Sequence, residues 1–209
     1  MAPSEPRFFT EDWIITLPSH PNAKFIRMIP SRHEQQIKIL SNPLNHPFEN
    51  PADQAEVWDE AFIAGVNQRF DERYTLSKTA FQAIDILVEL DGEIVGSGTV
   101  MEIPQVQKGL ANIGLTLSPV ARGKGLGKAA MQVLLRLSNE CQVDHVHAGT
   151  MKANVPMRSL AKSLGFVERE EVLEVPGRGV VAEILFEDFR QERWKDLEMN
   201  VEFLGPVPE

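Results

Sequence analysis

Residues 115–130 read Leu-Thr-Leu-Ser-Pro-Val-Ala-Arg-Gly-Lys-Gly-Leu-Gly-Lys-Ala-Ala, with glycines at 123, 125 and 127. Three glycines in five residues are unfavourable inside a helix. Yet the best helical pattern in the chain starts right behind them. Its apolar positions Leu126, Ala129, Ala130, Val133, Leu134, Leu137 and Cys141 recur at the spacing of one helical face. In front of the glycines, residues 110–117 read as a strand. A strand must therefore end in a tight turn and leave as a helix, which restricts the chain to a fold mixing both element types.

Such a turn is suited to an anion. Its backbone N–H groups and the helix N-terminus are unpaired donors at the positive end of the helix dipole. Glycines remove the Cβ atoms that would block close approach. Arg122, Lys124 and Lys128 add local positive charge. Spacing narrows the ligand. A dinucleotide fingerprint GxGxxG fails because Lys128 stands where the third glycine belongs. A Walker A loop fails at Arg122, in place of its first glycine, and at Ala129, in place of the Ser or Thr that holds magnesium. What remains is Arg-x-x-Gly-x-Gly, from Arg122 to Gly127.

Composition sets the surroundings. The 209 residues fit one large domain, with 21 Lys and Arg against 30 Asp and Glu, a formal net charge of −9. That balance opposes phosphate-driven nucleic-acid binding, which needs a concentrated basic face. One cysteine, Cys141, allows no internal disulfide, and the five histidines show no metal-ligand spacing, so no metal is expected. No apolar run reaches the length of a membrane span, and the N-terminus lacks the basic-then-apolar pattern of a signal peptide. A soluble cytoplasmic protein, monomer or homodimer, is the expectation.

Residues 1–12 and 201–209 read as flexible ends around a domain over 13–200. Dense prolines in the first third predict short elements joined by turns. Ser31 and Glu34 suggest a capping box for a helix to Leu40. A second helix is predicted over 52–70, with Ala55, Trp58, Phe62, Val66 and Phe70 on one stripe that reads as core. Residues 83–90 and 93–103 are strands joined by Asp91-Gly92, a hairpin signal. After the helix over 126–141 come a strand (144–151), a short helix (156–164) closed by Gly165, a hairpin (166–175 and 180–187) around Pro176-Gly-Arg-Gly179, and a last helix over 188–197.

The Arg122–Gly127 spacing resembles the acyl-CoA pyrophosphate loop of the GNAT N-acetyltransferase superfamily. Downstream, Asn154, Gly165 and Phe166 keep the family's order and spacing. Asn112-Ile-Gly-Leu before the loop, and the ending from Glu183-Ile-Leu-Phe to Phe189-Arg-Gln-Glu-Arg-Trp194, are similar to the ribosomal-protein N-acetyltransferase branch. The resemblance implies a single α/β (α+β) domain with a mixed, mostly antiparallel central sheet, a V-shaped splay between two strands, and flanking helices. It implies acetyl-CoA as co-substrate, contacted by Leu115, Leu117, Arg122, Gly123, Lys124, Gly125, Leu126, Gly127, Lys128 and Asn154. Leu117 would present its backbone N–H to the thioester carbonyl as an oxyanion donor.

The same resemblance exposes departures. Ala161 stands where many relatives carry a Tyr that protonates the departing thiolate. Met157 replaces a Ser, and Asn112 replaces a Glu. Substitute proton carriers are Glu102, at a strand end, and His147, which alternates with His145 along one face of its strand. Cys141 closes an apolar stripe and reads as core. The expected activity is transfer of an acetyl group from acetyl-CoA to a primary amine, either a small amine or a protein N-terminus. A non-catalytic acyl-CoA-binding or sensing module is the alternative.

Overall fold

The computed structural model describes residues 6–48, 56–175, 179–188, 194 and 197–207. Nine strands form one sheet. They are β1 (Glu11–Leu17), β2 (His20–Arg27), β3 (Ala83–Leu90), β4 (Glu93–Glu102), β5 (Leu110–Leu117), β6 (His145–Met151), β7 (Val167–Val175), β8 (Gly179–Asp188) and β9 (Asn200–Pro206). Their spatial order is β7-β8-β6-β5-β4-β3-β2-β1-β9. Every neighbouring pair is antiparallel except β5 and β6. A parallel pair needs a crossover. Helix α4 (Leu126–Glu140) supplies it, packing on β4, β5 and β2.

The remaining helices are α1 (Arg7–Thr10), α2 (His33–Leu40), α3 (Glu60–Ala80) and α5 (Val155–Leu164). The mixed, mostly antiparallel single domain is as expected, and so is the meander over 83–117. At the β3–β4 turn, Asp91 and Gly92 both have positive φ, 53° and 89°. This is the hairpin geometry for which Asp-Gly is suited. The apolar stripe of α4 holds as well. Leu126, Ala129, Ala130, Val133, Leu134 and Leu137 are essentially buried, and Cys141 joins the same core. Each fully buried Leu or Val there contributes about 1.5–3 kcal/mol relative to exposure.

The first third departs most from expectation. β1 and β2 form a hairpin where only short elements were expected. Trp13, Ile15 and Leu17 alternate inward, buried to within 2%. Arg27 is buried too, donating to the carbonyls of Glu11 and Phe9. Arg32 makes two bonds to Asp12, at 2.7 and 2.8 Å. These cations fasten residues 9–12, which therefore do not trail as a loose end.

The Ser31–Glu34 capping box does not form. Pro30–Arg32 is a 3₁₀ turn that runs into α2, and Glu34 pairs with Lys38 instead. Helix α3 begins at Glu60, capped by Asp59 on the N–H of Phe62, and continues to Ala80. It is thus shifted toward the C-terminus from the predicted 52–70, whose first residues, 52–55, lie outside the described residues. Val66 and Phe70 of its stripe are buried; Trp58 and Phe62 are not.

At the other end, residues 200–206 are a strand against β1, where a flexible tail was expected. Phe203 explains the docking: it packs on Phe8, and Arg7 stands 4.0 Å over its ring. Most of the predicted last helix, residues 189–193 and 195–196, lies outside the described residues, as do 1–5, 176–178 and 208–209. Within that span Trp194 is buried in the main core.

Candidate active site

The ladder between β5 and β6 is short. It pairs Leu110 with His145, Ala111 with Val146 and Asn112 with His147, then stops, although β5 continues to Leu117 and β6 to Met151. On its other side β5 pairs with β4 all the way to Leu117. There the N–H of Ser118 donates to Val95 O and that of Ile103 to Leu110 O, each at 2.8 Å. In an antiparallel ladder the backbone groups alternate sides residue by residue. Leu117, Leu115 and Ile113 consequently turn their N–H and C=O groups toward β6, which has moved away. This is the V-shaped opening.

The glycine turn sits at its mouth. Pro119–Ala121 make one 3₁₀ turn, Arg122 is extended, and Gly123 and Gly125 take positive φ of 74° and 79°. Gly125 is the N-cap of α4, and a Cβ there would meet Nε2 of His20 at 3.1 Å. The backbone amides of residues 123–127 have no acceptor among the described residues. Five successive free N–H groups at a helix start form an anion cradle. Lys128 lines the same space.

The opening continues into a cavity of about 1810 Å³. That exceeds the roughly 300–1,000 Å³ of a pocket for one small ligand. Eight of the ten residues expected to contact the co-substrate line it: Leu115, Leu117, Arg122, Gly123, Gly125, Gly127, Lys128 and Asn154. Lys124 is exposed outside the cavity, and Leu126 is buried beneath the loop. Met101, Ile113, Met151, Met157 and Leu160 make the middle of the cavity apolar.

Its far half is walled by Pro43 and residues 45–48, by Trp58 and by the face of α3 that carries Phe62, Arg69 and Arg73. Trp58 and Phe62 meet edge to face at 5.0 Å, with Arg69 5.8 Å over the Phe62 ring. The aromatic stripe was expected as core. Instead Trp58 and Phe62 are only partly buried and line the cavity, together with the buried Val66 and Phe70. Sequence reasoning also passed over Thr150, Pro43 and His46, which line the cavity. The clustered prolines 43 and 47 were the only signal there.

Several side chains have prior engagements. Asn154 caps α5: its Oδ1 accepts from the N–H of Met157 at 3.2 Å, and its Nδ2 donates to Thr150 Oγ1 at 2.9 Å. The Arg122 guanidinium donates to the carbonyl of Leu117 through Nε (3.0 Å) and Nη2 (2.8 Å), and Nη2 also reaches those of Leu44 (3.2 Å) and Asn45 (3.0 Å).

Glu102 accepts from the Gly109 N–H at 3.1 Å, bracing the β4–β5 turn. It pairs with Ala111, six residues from Leu117 along β5, or roughly 20 Å of strand. His147 sits at the last β5–β6 pair. Neither lines the cavity. Ala161 is fully buried in the core, and burial pushes the Cys141 thiol up out of the reactive range. No group of three or more potential metal ligands is gathered among the described residues, and no described helix is long and apolar enough to cross a membrane.

Known proteins agree with this architecture. No curated protein sequence matches the chain. Among solved structures it is similar to Mycobacterium smegmatis RimJ in complex with CoA-disulfide, with a TM-score of 0.67, 19% identity and coverage of 92% of this chain and 91% of that one. It is similar to the ribosomal-protein-S5-alanine acetyltransferase of Vibrio fischeri, with a TM-score of 0.63, 19% identity and coverage of 85% and 96%. It is also similar to yncA of Salmonella typhimurium, a putative acetyltransferase with its cofactor acetyl-CoA, at 0.61, 15%, 80% and 93%. At these identities the likeness concerns the fold. The sequence profile of the acetyltransferase (GNAT) family matches residues 47–166, more than half of the chain, including α3, the glycine loop and α5. The chain belongs to the acetyltransferase (GNAT) family.

Proposed function

We propose that the protein transfers the acetyl group of acetyl-CoA to a primary amine by direct attack. The observation that carries this reading is the run of unpaired amides at 123–127 beside the edge of β5 that β6 leaves after Asn112. The amides suit the pyrophosphate, and Lys128 adds charge beside them. The pantetheine arm would lie along residues 113–117 as an added half-strand. Two structural neighbours, RimJ and yncA, are described as complexes with CoA-disulfide and acetyl-CoA, which supports the co-substrate.

The chemistry follows from that placement. The amine nitrogen attacks the thioester carbon in the apolar middle of the cavity. Negative charge develops on the carbonyl oxygen, where the Leu117 N–H stabilises it. The C–S bond then breaks and the thiolate leaves. The nitrogen loses its proton, which ends on the thiolate sulfur. A Lys-like amine has a pKa near ~10.4, so it must be deprotonated before or during attack. Glu102 and His147 do not line the cavity, so we assign this transfer to water reaching the open far half. Positioning and the oxyanion donor then supply most of the acceleration. The acceptor is a small amine or a protein N-terminus.

The buried Ala161, with Glu102 and His147 outside the cavity lining, also favours a second reading, a non-catalytic acyl-CoA-binding module. Acetyl-CoA consumption across a panel of small amines and peptides with free N-termini separates the two. Thiol release accelerated by one amine class, with a rate that rises with pH along that amine's ionisation, supports the enzyme. Tight acetyl-CoA binding with no turnover over the whole panel overturns it in favour of the module.

A further inference from the structure

Arg122 stands in a loop suited to an anion, yet its side chain is turned away from that role. Its guanidinium makes no ion pair among the described residues. It gives its donors to three carbonyl oxygens, those of Leu117, Leu44 and Asn45. Leu117 belongs to the strand beside the cofactor loop, whereas Leu44 and Asn45 belong to the far wall, 78 and 77 residues earlier in the chain.

That wall is wired so that these two carbonyls face outward. Asn42 Oδ1 accepts from the N–H of Leu44 at 3.0 Å. The N–H of Asn45 donates to Asn42 O at 2.9 Å, and that of His46 to Pro43 O at 3.1 Å. Asn45 is buried and fastens the turn inward by donating from Nδ2 to Ile39 O at 2.8 Å. The segment 42–46 is thus a preformed turn, and the carbonyls of Leu44 and Asn45 are left for Arg122.

We propose that Arg122 is a positioning residue that braces the 43–48 wall against the end of β5, so that the acceptor half of the cavity takes its shape from the loop that holds the cofactor. The inference rests on the proposed function for the name of each half, but the contact itself does not. The planar guanidinium serves several carbonyls at once from a fixed fork, whereas a Lys ammonium in the same place reaches fewer of them. The carbonyl it holds belongs to Leu117, whose own N–H is the proposed oxyanion donor. A shift of the wall and a shift of the donor are therefore linked.

The test is amide hydrogen exchange on the full chain, wild type against R122Q and R122K, with and without CoA as the probe. Each charged hydrogen bond to a carbonyl is worth about tenfold in an equilibrium. R122Q should therefore speed exchange of the Asn45 and His46 amides by about tenfold or more while residues 130–137 of α4 keep their rates. R122K should fall between the two. With an amine taken from the turnover panel, R122Q should raise the KM for amine by about tenfold and that for acetyl-CoA by less than about threefold.

Unchanged exchange at 43–48 in R122Q overturns the brace, and so does a loss confined to CoA affinity, which would make Arg122 a phosphate ligand. If R122Q does not fold, R122K carries the same comparison, with about threefold faster exchange as the support and none as the refutation. Absence of CoA binding by wild type in calorimetry refutes the proposed function instead. The exchange of the free protein still decides the brace.

Discussion

The two halves of the cavity are built by different means. The loop half comes from one continuous segment, residues 113–128, and its working groups are backbone amides and carbonyls. The far half gathers Pro43 and residues 45–48, Trp58 and one face of α3, and its working groups are side chains. A backbone site needs glycines at fixed places because the chain must bend and let a ligand approach. A side-chain site needs only that suitable residues meet, from wherever they come. The first leaves a motif in the sequence and the second does not.

The largest expected effect tests the loop half. Gly125→Val puts a β-branched residue at φ 79°, with its Cβ 3.1 Å from His20. Strain of that kind costs about 1–3 kcal/mol before any ligand is blocked. Calorimetry should show acetyl-CoA binding at least ~100-fold weaker, since each 1.4 kcal/mol is a factor of about ten. Binding within threefold of the parent would break the assignment of this half.

Next comes the far half. Trp58→Ala and Phe62→Ala should each raise the KM for amine about tenfold, as expected for loss of an aromatic contact, with acetyl-CoA affinity little changed. Neither ring is in the core, so steady-state kinetics can be read on folded protein. An equal loss for both substrates would show that the two halves are not separable.

Smaller effects are expected where the sequence suggested proton carriers. Glu102→Gln and His147→Gln should each lower kcat by less than about tenfold, below the range of a general acid or base. A hundredfold loss at either, with cofactor affinity unchanged, would show a catalytic role at that position. Glu102→Ala should instead cost stability of about 1 kcal/mol in urea titration, because the Gly109 N–H loses its acceptor.

The smallest effect concerns the support behind the far half. His33 packs edge to face on Phe70, facing Asp71 at 3.8 Å. Burial holds its pKa below the ordinary 6.5, against the pull of Asp71 and Asp85 and with help from Arg73. The unfolded chain therefore binds a proton that the native state refuses. His33 accordingly costs no stability above pH 6.5 and a growing amount as pH falls through 6.5 toward the folded value. Denaturation midpoints at descending pH should decline less steeply in His33→Gln than in the parent.

Much of the fold was legible. The Asp91-Gly92 turn, the α4 stripe and the Gly165 cap each rest on a local rule, and local rules act within a few residues. The β1–β2 hairpin was missed although Trp13, Ile15 and Leu17 alternate cleanly, because Pro18 and Pro21 mark the same stretch as turns. The start of α3 was misplaced because Trp58 and Phe62 continue a helical spacing that they do not share a helix to satisfy. Strand β9 gave a weak signal. Its partner β1 is almost the whole chain away, and its hold depends on Phe203 finding Phe8 and Arg7.

The sequence by itself determined the loop. Glycine spacing and the adjoining helix dictate a turn with free amides, the geometry that suits an anion, through the backbone alone and without help from distant residues. Tertiary structure decided the rest of the cavity. Whether β6 leaves β5 after Asn112 and where the Arg122 guanidinium spends its donors depend on residues far apart in the chain. Hydrogen bonds and packing act across a few ångströms of space, and nothing in the order of residues records which distant groups will share that space.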